Sequence, residues 1–315
     1  MSDGGRVAVD EISNLEKSPK SDYPSLLFCT GGAEHSYTAR SKVRADWFLG
    51  AGYPSVFIVN RRCSGRIQQY SPQITVPYGK YNDLLDITGY LVDIMPQRKW
   101  ILIGECFGAQ NVLEFFSQAS SNRSEILGGI IDSFQFNGKT FLDGHYTSKV
   151  PYFQESRKLI LNTFVDAALN HAANKNVYNQ VSELIDRTKF ENLDLTDKRS
   201  VRIVNEELIC KMCPDAPFKT QEEYYAMTSP YYDENHKNFL RIKKPLVLVY
   251  AQDDPFSPFD LGMIKTLQEN PNLCLWLYPG GGHIIFTERL IPYSCYLKDV
   301  YLENAELLVR KQGEL

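Results

Sequence analysis

The chain has 315 residues, of which 43% are hydrophobic and 23% charged, a composition typical of folded proteins rather than disordered or fibrous ones. Its 34 Lys and Arg against 38 Asp and Glu give a net charge of -4, which excludes the basic field that a nucleic-acid backbone requires. No stretch approaches the roughly 20 apolar residues of a membrane-spanning helix. We therefore expect a soluble protein that binds no nucleic acid and does not insert into a membrane.

The N-terminus and the cysteines indicate a cytoplasmic protein. Residues 1–22 are polar, lack the apolar segment of an export signal and are predicted to form a flexible tail. Seven cysteines, an odd number spread along the chain, are typical of a reducing compartment. Cys210 and Cys213 form a CxxC without a second Cys or His pair nearby, so we interpret them as structural. We expect no metal and no other cofactor.

Short apolar runs alternate with helix-spaced segments in two parts of the chain, 23–136 and 239–315. The runs lie at 25–29, 55–59, 100–103, 126–131, 245–250 and 273–278, and the amphipathic segments at 40–49, 82–95 and 110–119. Nearly uninterrupted apolar strands are typical of a parallel sheet with helices on both faces. The pattern predicts an α/β protein with a mostly parallel, doubly wound sheet.

Residues 137–238 break this alternation. The segment is rich in Tyr, Asn, Lys and Glu and has helical spacing, but no credible parallel strand. An insertion that leaves a sheet and returns to it at Pro245 is typical of a lid over the strand ends. We predict a helical lid over 137–238.

A strand-to-helix turn, Gly104-Glu105-Cys106-Phe107-Gly108, is the strongest local motif. It resembles the nucleophile elbow of the α/β-hydrolases, with Cys in place of Ser. Glycine is needed at both ends because a Cβ would clash where the strand and helix backbones approach each other. Cys106 at a helix N-terminus would favour thiolate. The alternative is a tight turn with a buried, inert cysteine.

His283 is the candidate general base. It follows the last apolar run and three glycines, where an α/β-hydrolase carries its histidine on a loop. Its imidazole would take the proton of Cys106.

Two aspartates compete for the place of the acid that orients this histidine. Asp254 follows the strand before His283, whereas Asp132 ends the strand after the nucleophile. Either could stabilise an imidazolium. Asp253 is interpreted as a turn residue.

The oxyanion hole is predicted to combine two backbone N–H groups, those of Phe107 and Gly32. Gly32 belongs to the loop Thr30-Gly31-Gly32-Ala33 after the first apolar run.

Two groups of α/β-hydrolases resemble this chain. The order of Cys106, Asp132, the lid and His283 is similar to that of thioesterase-like Dieckmann cyclases of polyketide and nonribosomal peptide biosynthesis. The loop 60–65 and the segments 251–258 and 281–286 resemble embryogenesis-associated esterases, which carry Ser at the elbow.

The first resemblance implies that Cys106, Asp132 and His283 form a triad. We therefore predict a larger loss of activity for Asp132→Asn than for Asp254→Asn. It also implies Dieckmann cyclisation of an acyl thioester delivered by an acyl or peptidyl carrier protein. Two alternatives stay open: an esterase or lactone hydrolase, and a non-catalytic binding protein on the same scaffold.

Overall fold

The computed structural model describes residues 7–13, 20, 22–31, 34–60, 81–134, 187–190, 202–203, 206, 219–220, 222–223, 226, 237–254, 261–283 and 296–313. Most of these residues belong to a sheet, the helices packed against it and the loops at its edge. Almost all of the predicted lid, 137–238, with Cys210 and Cys213, lies outside the described residues, as do Gly32 and the loop 61–65.

The described strands form one sheet in the order β1-β3-β2-β4-β5-β6-β7. β1 runs antiparallel to its neighbour, and the other pairs are parallel. Their bounds are β1 Val9–Ser13, β2 Ser25–Cys29, β3 Ser55–Val59, β4 Trp100–Glu105, β5 Ile126–Asp132, β6 Leu246–Ala251 and β7 Leu273–Tyr278. The six apolar runs thus all form strands. Their mainly apolar composition follows from burial of both sheet faces.

Helices cover both faces of this sheet. Their bounds are α1 Ala39–Gly50, α2 Tyr81–Ile94, α3 Phe107–Ser117, α4 Lys237–Leu240, α5 Leu261–Gln268 and α6 Tyr296–Gly313. One core lies between the sheet and α2, α3, α4 and α5. The second lies between the opposite face and α1 and α6. Because side chains alternate along a strand, Leu27 and Leu102 enter the first core, while Leu26 and Ile101 enter the second.

The N-terminal segment differs from the predicted flexible tail. Val9–Ser13 is a strand that pairs with β3 over its whole length, from Val9 opposite Val59 to Ser13 opposite Ser55. Asn60 holds its start, since the Asn60 side-chain amide donates to the Ala8 carbonyl at 3.1 Å and to Asp10 Oδ2 at 2.8 Å. A largely polar strand can form at this edge of the sheet because pairing with β3 supplies its hydrogen bonds, while Val9 and Ile12 pack against opposite cores.

No helix within the described part of the chain combines the length and apolar character that crossing a membrane would require.

Candidate active site

Cys106 occupies a strained turn between β4 and α3. Its backbone has φ 52° and ψ -114°, a region that non-glycine residues rarely adopt and that costs about 1–3 kcal/mol. Two hydrogen bonds hold the turn: Cys106 N–H donates to the Asp132 carbonyl at 2.9 Å, and Gln110 N–H donates to the Cys106 carbonyl at 3.3 Å. The sharp turn lets the thiol project from the end of the sheet instead of entering either core.

Both glycines of the motif are required by contact. A Cβ on Gly104 would lie 2.5 Å from the Gly108 carbonyl oxygen, and a Cβ on Gly108 would lie 2.0 Å from the Cys29 carbonyl oxygen. Real Cβ atoms essentially never come that close. The prediction that these glycines admit a close strand-to-helix approach is confirmed.

The structure brings a thiol, an imidazole and a carboxylate into line. Nε2 of His283 lies 3.1 Å from Sγ of Cys106. Nδ1 of the same ring lies 2.9 Å from Oδ2 and 3.1 Å from Oδ1 of Asp254. These three residues follow β4, β6 and β7, and they meet because the carboxyl ends of parallel strands share one edge of the sheet.

The loop that carries His283 is held by the aspartate interpreted from the sequence as a turn residue. Gly282 N–H donates to Oδ1 of Asp253 at 2.8 Å. Gly281 and Gly282 have φ of 152° and 69°, so the chain reaches back towards β6 through conformations that glycine adopts easily. Adjacent aspartates thus have separate tasks: Asp253 holds the loop backbone, and Asp254 holds the ring.

Electrostatics favour a charged imidazole here. Burial by itself lowers the pKa of His283, but the Asp254 carboxylate and Cys106 together outweigh it, so this pKa lies well above its ordinary value. A protonated imidazole at 3.1 Å from sulfur stabilises a thiolate, which is the nucleophilic form of cysteine. The arrangement can therefore generate a nucleophile and return a proton to a leaving group.

Asp132 lies in a different environment from the one predicted for the triad acid. Its carboxyl accepts a hydrogen bond from Ser133 Oγ at 2.7 Å and lies 3.4 Å from the Tyr301 hydroxyl oxygen. The carboxylate at hydrogen-bond distance from the His283 ring is that of Asp254. The geometry thus goes against the preference for Asp132, because β6 and not β5 ends where the His283 loop returns.

Sequence reasoning missed a buried charged group behind the elbow. Arg44 on α1 donates through Nε to Oε1 of Glu105 at 2.7 Å, and the Tyr301 hydroxyl on α6 donates to the same oxygen at 3.1 Å. All three side chains are buried. The available signal was Glu105 itself, a charged residue between Gly104 and Cys106 at the end of an apolar strand, which requires a partner when buried.

For the predicted oxyanion hole, the structure describes one of the two donors. Phe107 is the first residue of α3, and amides of a first helical turn point out of the helix N-terminus, where they attract negative charge. Gly32 lies outside the described residues. Among the residues that the structure does describe, no three His, Cys, Asp or Glu side chains are grouped so that they could hold a metal ion.

Curated relatives are similar over most of the chain. It is 22% identical to the mouse (Mus musculus) protein named phospholipase ABHD3 over 322 aligned positions, covering 99% of this chain and 71% of that protein. It is 26% identical to the monoacylglycerol lipase of Saccharomyces cerevisiae over 206 positions, covering 65% of this chain and 42% of that protein. No protein-family model matches the chain.

Solved structures agree on the fold. The proline iminopeptidase of Mycobacterium smegmatis superposes with a TM-score of 0.56 and 10% identity, covering 98% of this chain and 97% of that one. An esterase of Pyrococcus furiosus gives a TM-score of 0.53 and 14% identity, covering 98% and 94%. The predicted α/β-hydrolase fold is confirmed.

These relatives correct the functional prediction. Dieckmann cyclisation is wrong as the main function, because the similar curated proteins are a phospholipase and monoacylglycerol lipases. Cysteine as nucleophile indicates how an acyl group is held, but it does not identify the acyl group. The carrier-protein partner and the cytoplasmic location stay predictions from the sequence.

Proposed function

We propose that this chain, an enzyme of the α/β-hydrolase superfamily, hydrolyses carboxylic esters of acylglycerol lipids with Cys106 as its nucleophile. The observation that carries the proposal is the alignment of Cys106 Sγ, His283 and Asp254 at 3.1 and 2.9 Å. Such an order of nucleophile, base and orienting acid is the minimum for acyl transfer through a covalent intermediate.

The first half-reaction forms a thioester. The Cys106 thiolate attacks the ester carbonyl carbon, and the Phe107 N–H donates to the oxyanion that develops. As the tetrahedral intermediate collapses, the carbon–oxygen bond of the ester breaks, and the His283 imidazolium gives its proton to the departing alcohol. Asp254 keeps Nδ1 protonated and stabilises the charge that the ring carries before this transfer.

The second half-reaction consumes water. Neutral His283 takes a proton from a water molecule, whose oxygen attacks the thioester carbonyl, and the carbon–sulfur bond breaks. The products are a carboxylic acid and the Cys106 thiolate beside an imidazolium, which restores the starting state. One ester and one water thus yield one acid and one alcohol.

The substrate class is inferred from the relatives. One relative is named a phospholipase and another a monoacylglycerol lipase. The bond that glycerophospholipids and monoacylglycerols have in common is a fatty acyl ester of a glycerol backbone. An ester of this kind also suits the site, since an alkoxide leaving group needs the proton that His283 holds.

The test uses purified full-length protein with two lipids, a monoacylglycerol and a diacylphosphatidylcholine, and follows released fatty acid. We expect release from at least one of them, and an acyl adduct on Cys106 in intact-mass spectra that neutral hydroxylamine removes. Cys106→Ala should abolish both signals. Tyr90→Ala, at a well-exposed position on α2, is a matched surface control. Fatty acid release that survives in Cys106→Ala would refute the assignment.

A further inference from the structure

Asp132, which the proposed mechanism does not use, lies at the centre of a buried polar cluster. It stands opposite Glu105 in the register of β4 and β5, and both side chains have 0% exposure. Arg44 reaches Glu105 from α1, and Tyr301 reaches both carboxyls from α6. We call these four residues the elbow cluster, because Glu105 immediately precedes Cys106.

The elbow cluster contains fewer positive than potential negative charges. Arg44 is the cation within it and is bonded to Glu105, so an ionised Asp132 would be a second buried carboxylate beside the first. His283 also acts electrostatically on Asp132 but is paired with Asp254, and the largely buried Glu34 is a further carboxyl that interacts with Glu105 and Arg44. Burial of a carboxylate without a counter-charge is unfavourable, and such groups usually take up a proton instead.

The number of protons at Tyr301 determines the direction of its hydrogen bonds with the two carboxyls. Its hydroxyl has one proton, and the shorter contact, 3.1 Å, is to Oε1 of Glu105. Burial, with both carboxyls nearby, raises the pKa of Tyr301 well above its ordinary value, so the phenol keeps that proton. The 3.4 Å contact with Oδ2 of Asp132 is then a hydrogen bond if the acid supplies the proton. Ser133 Oγ donates to the other oxygen, Oδ1, at 2.7 Å.

The backbone of Asp132 is hydrogen-bonded to the backbone of the nucleophile, Cys106. The Asp132 carbonyl accepts from Cys106 N–H at 2.9 Å, and Ser133 has φ 54°, so both strands turn sharply at this point. Repulsion between two carboxylates at the ends of β4 and β5 would act on the strained Cys106 directly.

We propose that Asp132 is a positioning residue that works in its protonated form, donating to Tyr301 and thereby holding the ends of β4 and β5 together beneath Cys106. Burial, with the Glu105 carboxylate as the next cause, raises the pKa of Asp132 to about 8, in agreement with the charge balance. The inference rests on the proposed function, since it concerns the reactivity of the same thiol.

The test compares Asp132→Asn with Asp132→Leu. An asparagine amide donates from one atom and accepts at the other, as the protonated acid does, whereas leucine does neither. We expect Asp132→Asn to keep kcat within about tenfold of the wild type near pH 7, and Asp132→Leu to lose substantially more. KM should change little in either, because the cluster lies behind the elbow.

A pH profile separates this role from simple packing. Alkylation of Cys106 by iodoacetamide is followed from pH 6 to pH 10, which requires no substrate. On this proposal, ionisation of Asp132 near pH 8 removes its hydrogen bond to Tyr301 in the wild type and loosens the turn that carries Cys106. In Asp132→Asn that ionisation is absent, so the rate ratio of variant to wild type should grow by about threefold or more across this range.

The outcomes distinguish the two proposals. Coincident alkylation profiles, or an Asp132→Asn variant as inactive as Asp254→Asn, would overturn the role of a protonated Asp132. Diverging profiles without ester hydrolysis would support that role and refute the proposed function instead. Near-ultraviolet circular dichroism of each variant checks that it is folded.

Discussion

Adding one methyl group at Gly108 should disable the site by displacing the start of α3 next to Cys106. The added Cβ would lie 2.0 Å from the Cys29 carbonyl oxygen, 2.5 Å from the carbon of that carbonyl and 2.8 Å from the Thr30 oxygen. All three atoms belong to the backbone at the end of β2, which is hydrogen-bonded on both sides. The start of α3 must therefore move, because the sheet cannot.

The size of the effect is set by that distance. The Cβ must retreat by about 1 Å to reach the 3.0 Å below which such contacts are essentially never seen, and α3 carries Phe107 with it. A misplacement of about 1 Å costs roughly 100-fold in rate, and forced overpacking costs about 1–3 kcal/mol of stability. We expect Gly108→Ala to lower kcat on the ester by about 100-fold with a smaller change in KM.

The assay pairs this variant with Gly89→Ala. Gly89 lies in α2, where the nearest atom to an added Cβ is Arg123 Nη1 at 3.8 Å. Alanine there should leave kcat unchanged and raise stability by about 0.5–1 kcal/mol, since it replaces a glycine within a helix. Steady-state hydrolysis and urea unfolding measure both effects. A Gly108→Ala variant with wild-type kcat and wild-type stability would refute the close approach of strand and helix at the elbow.

Three further variants test the charges around the site. Asp254→Asn should lower kcat by up to about 10⁴-fold and should also lower the pKa of His283, seen as an NMR titration shifted to lower pH; an unchanged titration would contradict the pairing. Arg44→Met, which leaves Glu105 buried without its cation, should cost about 3–5 kcal/mol in urea unfolding, and a loss below 1 kcal/mol would argue against the ion pair. Because folded Asp132 keeps a proton up to about pH 8 that the unfolded chain releases near 3.8, wild-type stability should fall as pH rises between these values. The Asp132→Asn variant should lack this pH-dependent component of stability, which amounts to up to about 1.4 kcal/mol per pH unit. Parallel stability curves for the wild type and the variant would contradict a protonated Asp132.

Local features of the sequence were sufficient for the strands and the elbow. The six apolar runs became β2 to β7, and β2 to β6 are apolar along their length because almost all of their residues are buried. The Gly-x-Cys-x-Gly motif was readable because Gly104 is required by a contact within the motif itself, with Gly108; the contact that requires Gly108 is with Cys29 of β2 and belongs to the tertiary structure. His283 was found through the glycines that precede it.

The substrate was misjudged for a chemical reason. A cysteine nucleophile indicates that the acyl intermediate is a thioester, and that property is shared by enzymes that transfer, cyclise or hydrolyse acyl groups. The difference lies in the acyl donor and acceptor, which the residues at Cys106 and His283 do not encode.

The sequence by itself determined the alternating strands and helices, the sharp turn that carries Cys106 and the glycine loop that ends in His283, because each depends on neighbours a few residues apart. The tertiary structure decided between Asp132 and Asp254, since both lie at the carboxyl end of a strand and only the position of the His283 loop places one carboxylate against the ring. It also decided that Arg44 and Tyr301, 257 residues apart in the chain, meet at Glu105. Burial makes that meeting necessary, because a charge taken out of water needs a partner from whichever element packs beside it.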